Sequence, residues 1–462
     1  MNLDDSRYRR ASLWLDLIDE PLTPRPPLPG PADVDVAIVG AGYTGLWTAF
    51  YLKKADPSLR VAVVEKEIAG YGASGRNGGC VSPFFPAPLD TLAKTHGRDG
   101  ALAMQRAMFA TVDEVGAVCA AEGIDARFRK AGYLSLATGP AQVARARADA
   151  DHYRGWGLRD DEIRWLEPGE VRDRLAVEGC LGGMLATACA SLDPARLARG
   201  LARVVDGLGV PIYERTPVLR LETGRLVTAA GDVRAEVVVR ATEGYTAGLP
   251  GARREIVPLY TYMAATERLP DHVWRELGWD GREMLSDFHH LYTYAMRSPD
   301  DRIVLSGHGA PYYYGSGVDE RFDAAPRVQA TIDARLRLTF PAARDARITH
   351  RWGGALGVPR DWFPSVGYDK ASGRAWAGGY VGDGVAAANV AGRTLADLIT
   401  GRETPLTRLP WVGHRSRRWE PEPLRYLAVR GITVLLGGMD RREDRTGRPA
   451  RMAGLLDRFL HA

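Results

Sequence analysis

The stretch Asp33-Val34-Asp35-Val36-Ala37-Ile38-Val39-Gly40-Ala41-Gly42-Tyr43-Thr44-Gly45 decides the fold. Its first half is short, apolar and β-branched, as a strand buried on both faces requires. Gly40 suits a tight turn, Gly42 leaves room for a pyrophosphate, and Gly45 lets the next helix pack close to the strand. Leu46 to Lys54 has few breakers and predicts that helix, with free N–H groups and a positive dipole end aimed at the phosphates. A second buried run, Val61-Ala62-Val63-Val64, ends at Glu65 and Lys66. Glu65 falls about twenty residues past the last glycine, where a dinucleotide fold places its ribose-binding acid. Together these features predict a dinucleotide site; the alternative is a glycine-rich turn in an ordinary βαβ unit. A carboxylate at Glu65 repels a 2′-phosphate, which disfavours NADP and leaves FAD and NAD.

The next segment separates those two. Gly70-Tyr71-Gly72-Ala73-Ser74-Gly75-Arg76-Asn77-Gly78-Gly79 is too glycine-rich for a helix or strand. It can lie along a flat ligand and offer backbone N–H groups, which an NAD site does not need. Its Gly72 to Gly79 portion resembles the flavin-side loop of the D-amino-acid oxidase family, which includes glycine, sarcosine and gamma-glutamylputrescine oxidases. The resemblance implies an α/β fold: a Rossmann-like FAD-binding domain of the glutathione-reductase type, an inserted α+β substrate domain on an antiparallel sheet, and a helical C-terminal tail. It also implies cofactor contacts from Gly40, Gly42, Tyr43, Thr44, Gly45, Glu65 and Lys66, and from Gly72, Ala73, Ser74, Arg76, Asn77, Gly78 and Gly79.

At 462 residues the chain is long enough for two domains. Its 45% hydrophobic and 26% charged content is ordinary for a globular protein. A net charge of +4, with scattered arginines, argues against nucleic acid as a partner. Cys80, Cys119, Cys180 and Cys189 form no C-x-x-C pair and predict no disulfide framework. The first residues lack the pattern of a signal peptide, and no run approaches a membrane span. A cytoplasmic enzyme is the expectation.

The expected organisation is an N-terminal helix and proline-rich linker over 1–32, the linker carrying six prolines between Pro21 and Pro31. The FAD domain is expected over 33–95, 164–250 and 346–405, the substrate domain over 96–163 and 251–345, and the tail over 406–462. Asp193-Pro194 reads as a helix cap and first turn. The resemblance places Val218 against the adenine and Ala241-Thr242 over the pyrophosphate. After Gly251 the texture alternates, as in antiparallel strands, and tyrosines are dense. No internal repeat and no second strand–glycine turn–helix unit is present, which counts against a flavoenzyme with its own NAD(P)H site. The tail resembles a subgroup of these flavoproteins through Trp411 to His414 and Trp419 to Arg425. It reads as a helical packing element, or as a homo-oligomer, partner or membrane contact through the apolar run Tyr426 to Leu436.

Gly379-Tyr380-Val381-Gly382-Asp383-Gly384-Val385 resembles the family's second glycine motif. By that resemblance Gly379, Tyr380, Gly382, Gly384 and Val385 start a helix aimed at the pyrimidine edge of the flavin. A positive dipole end there stabilises the anionic reduced flavin. Trp352 and Gly354 belong to a further matching segment, in which Pro359 stands where a threonine is usual. The implied reaction is oxidation of an amine or amino acid to an imine by hydride transfer to flavin N5, with O2 as acceptor and H2O2 as product. The competing readings are a dehydrogenase serving a protein or quinone acceptor, and a flavin-bearing subunit of a larger complex. No side chain is required as a general base, so no catalytic residue is assigned. Candidate substrate contacts are Arg297 as a carboxylate grip or a surface arginine, one of His289 and His290, with His290 preferred, and Tyr260, Tyr262 and Tyr292. The attachment cysteine of sarcosine oxidases has no counterpart here, so non-covalent FAD is expected, with Cys80 the one residue inviting a covalent bond.

Overall fold

Strand Ala32–Val39 lies at the centre of the first sheet, parallel to Val61–Val64 on one side and to Gly231–Arg240 on the other. The computed structural model describes residues 3–307 and 309–450; residues 451–462 of the expected tail lie outside the described residues. Ile212–Tyr213 extends the sheet in parallel beyond Val61–Val64. Arg225–Thr228 and Val218–Glu222 extend the other edge as a meander, and Arg374–Gly378 pairs in parallel with the end of Gly231–Arg240. The central strands are continuous apolar runs because both faces are covered. Helices Tyr43–Ala55 and Gly384–Ile399 pack closely where Gly392 meets Trp47: a Cβ on Gly392 would stand 2.6 Å from the Trp47 Cβ.

The second sheet has the order Ile348–Val358, Val257–Thr266, Ile303–Ser306, Tyr294–Arg297, Met284–Asp287, Tyr133–Leu136, Gly183–Ala186, Ile163–Leu166. Every neighbouring pair is antiparallel except Met284–Asp287 with Tyr133–Leu136. One face packs on helix Pro326–Thr339 through Ile332 and Leu336.

Sheet membership moves the boundaries drawn from the sequence. Ile163–Leu166, except for its first residue, and Gly183–Ala186 fall in the expected FAD domain, yet they pair in the second sheet. Ile348–Val358 does the same, running the length of Val257–Thr266. Helix Leu89–Ala121, which bends at Gly97, puts Met104, Met108 and Val112 into an apolar core shared with the first sheet and helices Tyr43–Ala55 and Gly384–Ile399. Alternation of apolar residues marks a strand but does not say which edge completes its hydrogen bonds.

The N-terminal segment is core. Leu13, Trp14 and Leu15 are fully buried, and Ser12 caps their helix by accepting from the Leu15 N–H. The tail is also packed: Trp411 is buried against Phe85, and the Trp419 indole N–H donates to the Val358 carbonyl at 2.9 Å. Helix Leu424–Thr446 completes the chain's described part, and no described helix is long and apolar enough to cross a membrane.

Candidate active site

The first glycine turn is built by close approach. Gly40 has φ +102°, and a Cβ there would stand 2.5 Å from the Ala241 carbonyl oxygen. A Cβ on Gly45 would stand 1.9 Å from the Gly40 oxygen, so any side chain would push the helix off the strand. Gly42 is the N-cap of the helix and offers no side chain to its first N–H groups. The Tyr43 N–H donates to Ser74 Oγ at 2.8 Å, which joins the turn to the second glycine loop. Thr44 and Tyr380 share a hydroxyl hydrogen bond of 2.9 Å, joining it to the third.

Glu65 sits at the end of its strand and accepts the Ala41 N–H at 2.8 Å and the Glu67 N–H at 2.9 Å. Burial pushes its carboxyl pKa up to about 6, against the lowering effect of those two bonds. Glu65, Lys66, Thr216 and Val218 line one end of a cavity of about 1210 Å³. The cavity passes Gly40, Gly42, Tyr43, Thr44, Ala241 and Thr242, and the loop residues Gly72, Ala73, Ser74, Arg76, Asn77 and Gly78. It ends among Gly354, Tyr380, Gly382, Gly384, Val385 and the second sheet. That volume exceeds the usual range for a small-ligand site, about 300–1,000 Å³, and suits a dinucleotide with a substrate. Gly382 has φ +114° and nothing within 4 Å of where a Cβ would be, an open cradle at the start of helix Gly384–Ile399. These features fit FAD.

Other expected cofactor residues support the cavity without lining it. Gly45 and Gly79 make close backbone approaches, Gly79 to the Leu192 carbonyl. Gly379 donates its N–H to Glu243 at 2.8 Å. The Trp352 indole N–H donates to the Arg76 carbonyl at 2.7 Å. Arg76 pairs with Asp323 and donates to the Tyr71 and Gly353 carbonyls, so its charge is spent on the loop.

Several residues that do this work were not singled out from the sequence. Glu243 accepts the N–H groups of Gly357, Gly379 and Tyr380 and so holds three segments together. Burial pushes its pKa up to about 7. Ser12 Oγ donates to the Gly75 carbonyl and the Trp14 indole N–H to the Asn77 carbonyl, so the N-terminal segment clamps the flavin-side loop. Its signal was present in Ser12-Leu13-Trp14, but its target lies more than sixty residues away. Cys80 lines the cavity with its Sγ 3.7 Å from Cys189 Sγ.

The substrate candidates divide. His290 and Tyr292 line the cavity; His289 turns away toward Gln142 and Asp444. Tyr292 is half-exposed, and Tyr294 stands beside it. Tyr260 reaches the cavity edge, while its hydroxyl accepts the Asp319 N–H. Tyr262 is a correction: it is fully buried behind the sheet, its hydroxyl 2.7 Å from both the Tyr313 hydroxyl and the Phe322 carbonyl. Arg297 is another. Tyr294 faces the cavity, so strand parity turns Arg297 to the opposite face, where it pairs with Asp301 at 2.8 Å over the Trp274 ring.

A family model described as FAD dependent oxidoreductase, DAO, matches residues 35–398. The chain belongs to the DAO family of FAD-dependent oxidoreductases. It is 28% identical over 372 residues to gamma-glutamylputrescine oxidoreductase of Escherichia coli (strain K12), covering 79% of this chain and 84% of that protein. It is 25% identical over 382 residues to glycine oxidase of Bacillus licheniformis, covering 79% and 93%. Among solved structures, glycine oxidase from Geobacillus kaustophilus superposes with a TM-score of 0.70 at 22% identity, covering 84% of this chain and all of that one. The α/β fold is therefore that of the DAO flavoenzymes, and FAD is the cofactor. The residues that would hold it are those of the three glycine segments, with Glu65 at the ribose and the N-terminus of Gly384–Ile399 at the flavin ring.

Proposed function

We propose that this flavoenzyme oxidises the C–N bond of an amine or amino acid to an imine, at a non-covalently held FAD, with O2 as electron acceptor and H2O2 as product. Bound flavin supplies the hydride acceptor at N5, and the protein binds and orients the substrate. The observation supporting this reading most directly is the meeting of the two sheets. The Tyr294 ring lies 2.2 Å from where a Cβ on Gly78 would be, so the substrate-domain sheet touches the flavin-side loop. The sheet and the loop line the same cavity, so a molecule held there by the sheet lies beside the flavin-side loop. The relatives named gamma-glutamylputrescine oxidoreductase and glycine oxidase support C–N bond substrates.

A second reading, electron transfer to a protein or quinone acceptor, draws on Leu424, Leu427 and Val434, which are exposed on the tail helix. One experiment separates the two. Under argon, a panel of amines and amino acids is mixed with the yellow enzyme, and air is then admitted. Bleaching by an amine, followed by rapid recovery with stoichiometric peroxide, is expected. Bleaching that recovers only with an added quinone or protein acceptor supports the dehydrogenase, and absence of bleaching by every C–N compound overturns both.

A further inference from the structure

Asp383 stands in the middle of the second glycine motif, lines the cavity, and precedes helix Gly384–Ile399 as its N-cap. An aspartate at that position ordinarily folds back to accept the helix's own N–H groups. Here the side chain makes no capping bond. Ser82, which is buried, lines the same cavity. Desolvation in the cavity wall pushes the Asp383 carboxyl up to about 6.

Aromatic rings share this cavity. Phe84, Tyr133, Tyr292 and Tyr294 line the cavity with Asp383. Burial raises the hydroxyl pKa values of Tyr133 and Tyr294 first, and the nearby Asp383 charge adds to this. Among the described residues no ion pair reaches Asp383. The cavity's arginines are committed elsewhere: Arg7 to Glu67 and Glu320, Arg76 to Asp323. Lys66 lies beside Glu65 at the ribose end. His290, the further titratable base in the lining, is engaged by Arg145 and Glu443. A substrate carboxylate beside Asp383 would meet like charge. A substrate ammonium would meet a counter-charge in the cavity wall beside aromatic rings, the combination that favours alkylammonium groups.

We propose that Asp383, in a cavity it shares with Tyr133, Tyr292 and Tyr294, binds a positively charged nitrogen of the substrate, so that the chain acts on alkylamines rather than on α-amino acids. This rests on the amine-oxidation reading and narrows it. The held nitrogen is either the reacting amine, whose ammonium proton then passes to the Asp383 carboxylate so that the neutral amine gives up hydride, or a second ammonium further along the molecule; the recognising chemistry is the same.

The test uses the FAD-loaded enzyme and two probes of one shape: tert-butylammonium, which has no α-hydrogen and cannot be oxidised, and pivalate, its carboxylate counterpart. Calorimetry should show binding of tert-butylammonium in preference to pivalate. Asp383→Asn should weaken the ammonium at least tenfold, and Asp383→Glu should keep the preference. Preference for pivalate, binding of neither probe, or an affinity unchanged in Asp383→Asn overturns the proposal. The wild-type comparison stands even where a variant fails to hold FAD. Anaerobic bleaching then compares butylamine and 1,4-diaminobutane with glycine, sarcosine and proline. Asp383→Asn impairing both amines identifies the reacting nitrogen, and impairing only the diamine identifies the distant one. Asp383-dependent probe binding without bleaching by any C–N compound sinks the oxidation reading and leaves the cation site. Bleaching by amino acids with half-saturation unaffected by Asp383→Asn does the reverse.

Discussion

Glu65 and Gly42 act through different physics, and their variants should differ accordingly. Glu65 accepts two backbone N–H groups at one end of the cavity and would have capacity left for the hydroxyls of a ribose placed there. A charge-assisted bond is worth about 1.5–3 kcal/mol, so Glu65→Ala should weaken FAD roughly ten- to a hundredfold, measured by flavin fluorescence titration. Protonation removes the same charge. Because burial places the Glu65 pKa at about 6, FAD affinity should be full well above that pH and decline as pH falls through it, while Glu65→Gln should show a flatter profile there. Gly42→Val should abolish FAD binding, because the first added carbon already stands 3.0 Å from Ser74 Oγ and two more must enter the pyrophosphate space. Arg297→Ala should leave both flavin and substrate affinity unchanged. It should lower Tm, since the Arg297 side chain packs over Trp274 and pairs with Asp301 on the far face of the sheet.

Among the elements, the tail helix governs the cavity's entrance. Asp440 accepts the N–H groups of His290 at 2.7 Å and Leu291 at 3.1 Å, and Leu436 of the same helix lines the cavity. His290 also meets Glu443 at 3.1 Å. The loop that carries His290 and Tyr292 is therefore held by a segment distant in sequence. Removing its acceptor leaves buried N–H groups unsatisfied at about 1–3 kcal/mol. Asp440→Ala should raise KM by about tenfold for each 1.4 kcal/mol released into loop motion, with the flavin spectrum unchanged. Loss of flavin in this variant would mean that the tail supports the cofactor domain rather than the substrate wall. Glu243 has the complementary role: it joins Gly357, Gly379 and Tyr380, so Glu243→Ala should loosen FAD with little change in substrate preference.

At the scale of the whole molecule, one cavity lies between two sheets, and both contribute to its walls. A ligand that binds only the folded state at a hundred times its Kd stabilises it by about 2.7 kcal/mol. If FAD joins the two sheets, scanning calorimetry should show both halves of the molecule shifting upward together on adding FAD. Two separate transitions, of which FAD moves only one, would mean that the second sheet folds and melts without reference to the cofactor.

The dinucleotide half of this molecule was legible in the sequence because its determinants are local. Gly40, Gly42, Gly45 and Glu65 fall within one βαβ unit, and buried parallel strands announce themselves as apolar runs. The glycine loops at Gly72 to Gly79 and Gly379 to Val385 were legible for the same reason, as backbone that must pass close to a flat ligand. Tertiary structure alone decided the rest. Strand pairing moved Ile163–Leu166, Gly183–Ala186 and Ile348–Val358 into the second sheet. Strand parity turned Arg297 away from the cavity that Tyr294 faces. Ser12 and Trp14 on the flavin-side loop and Asp440 on the His290 loop are contacts across long stretches of chain. A local pattern specifies which surfaces an element must bury or leave open, but not which distant side chain meets them, because that follows from how the sheets and the tail pack together.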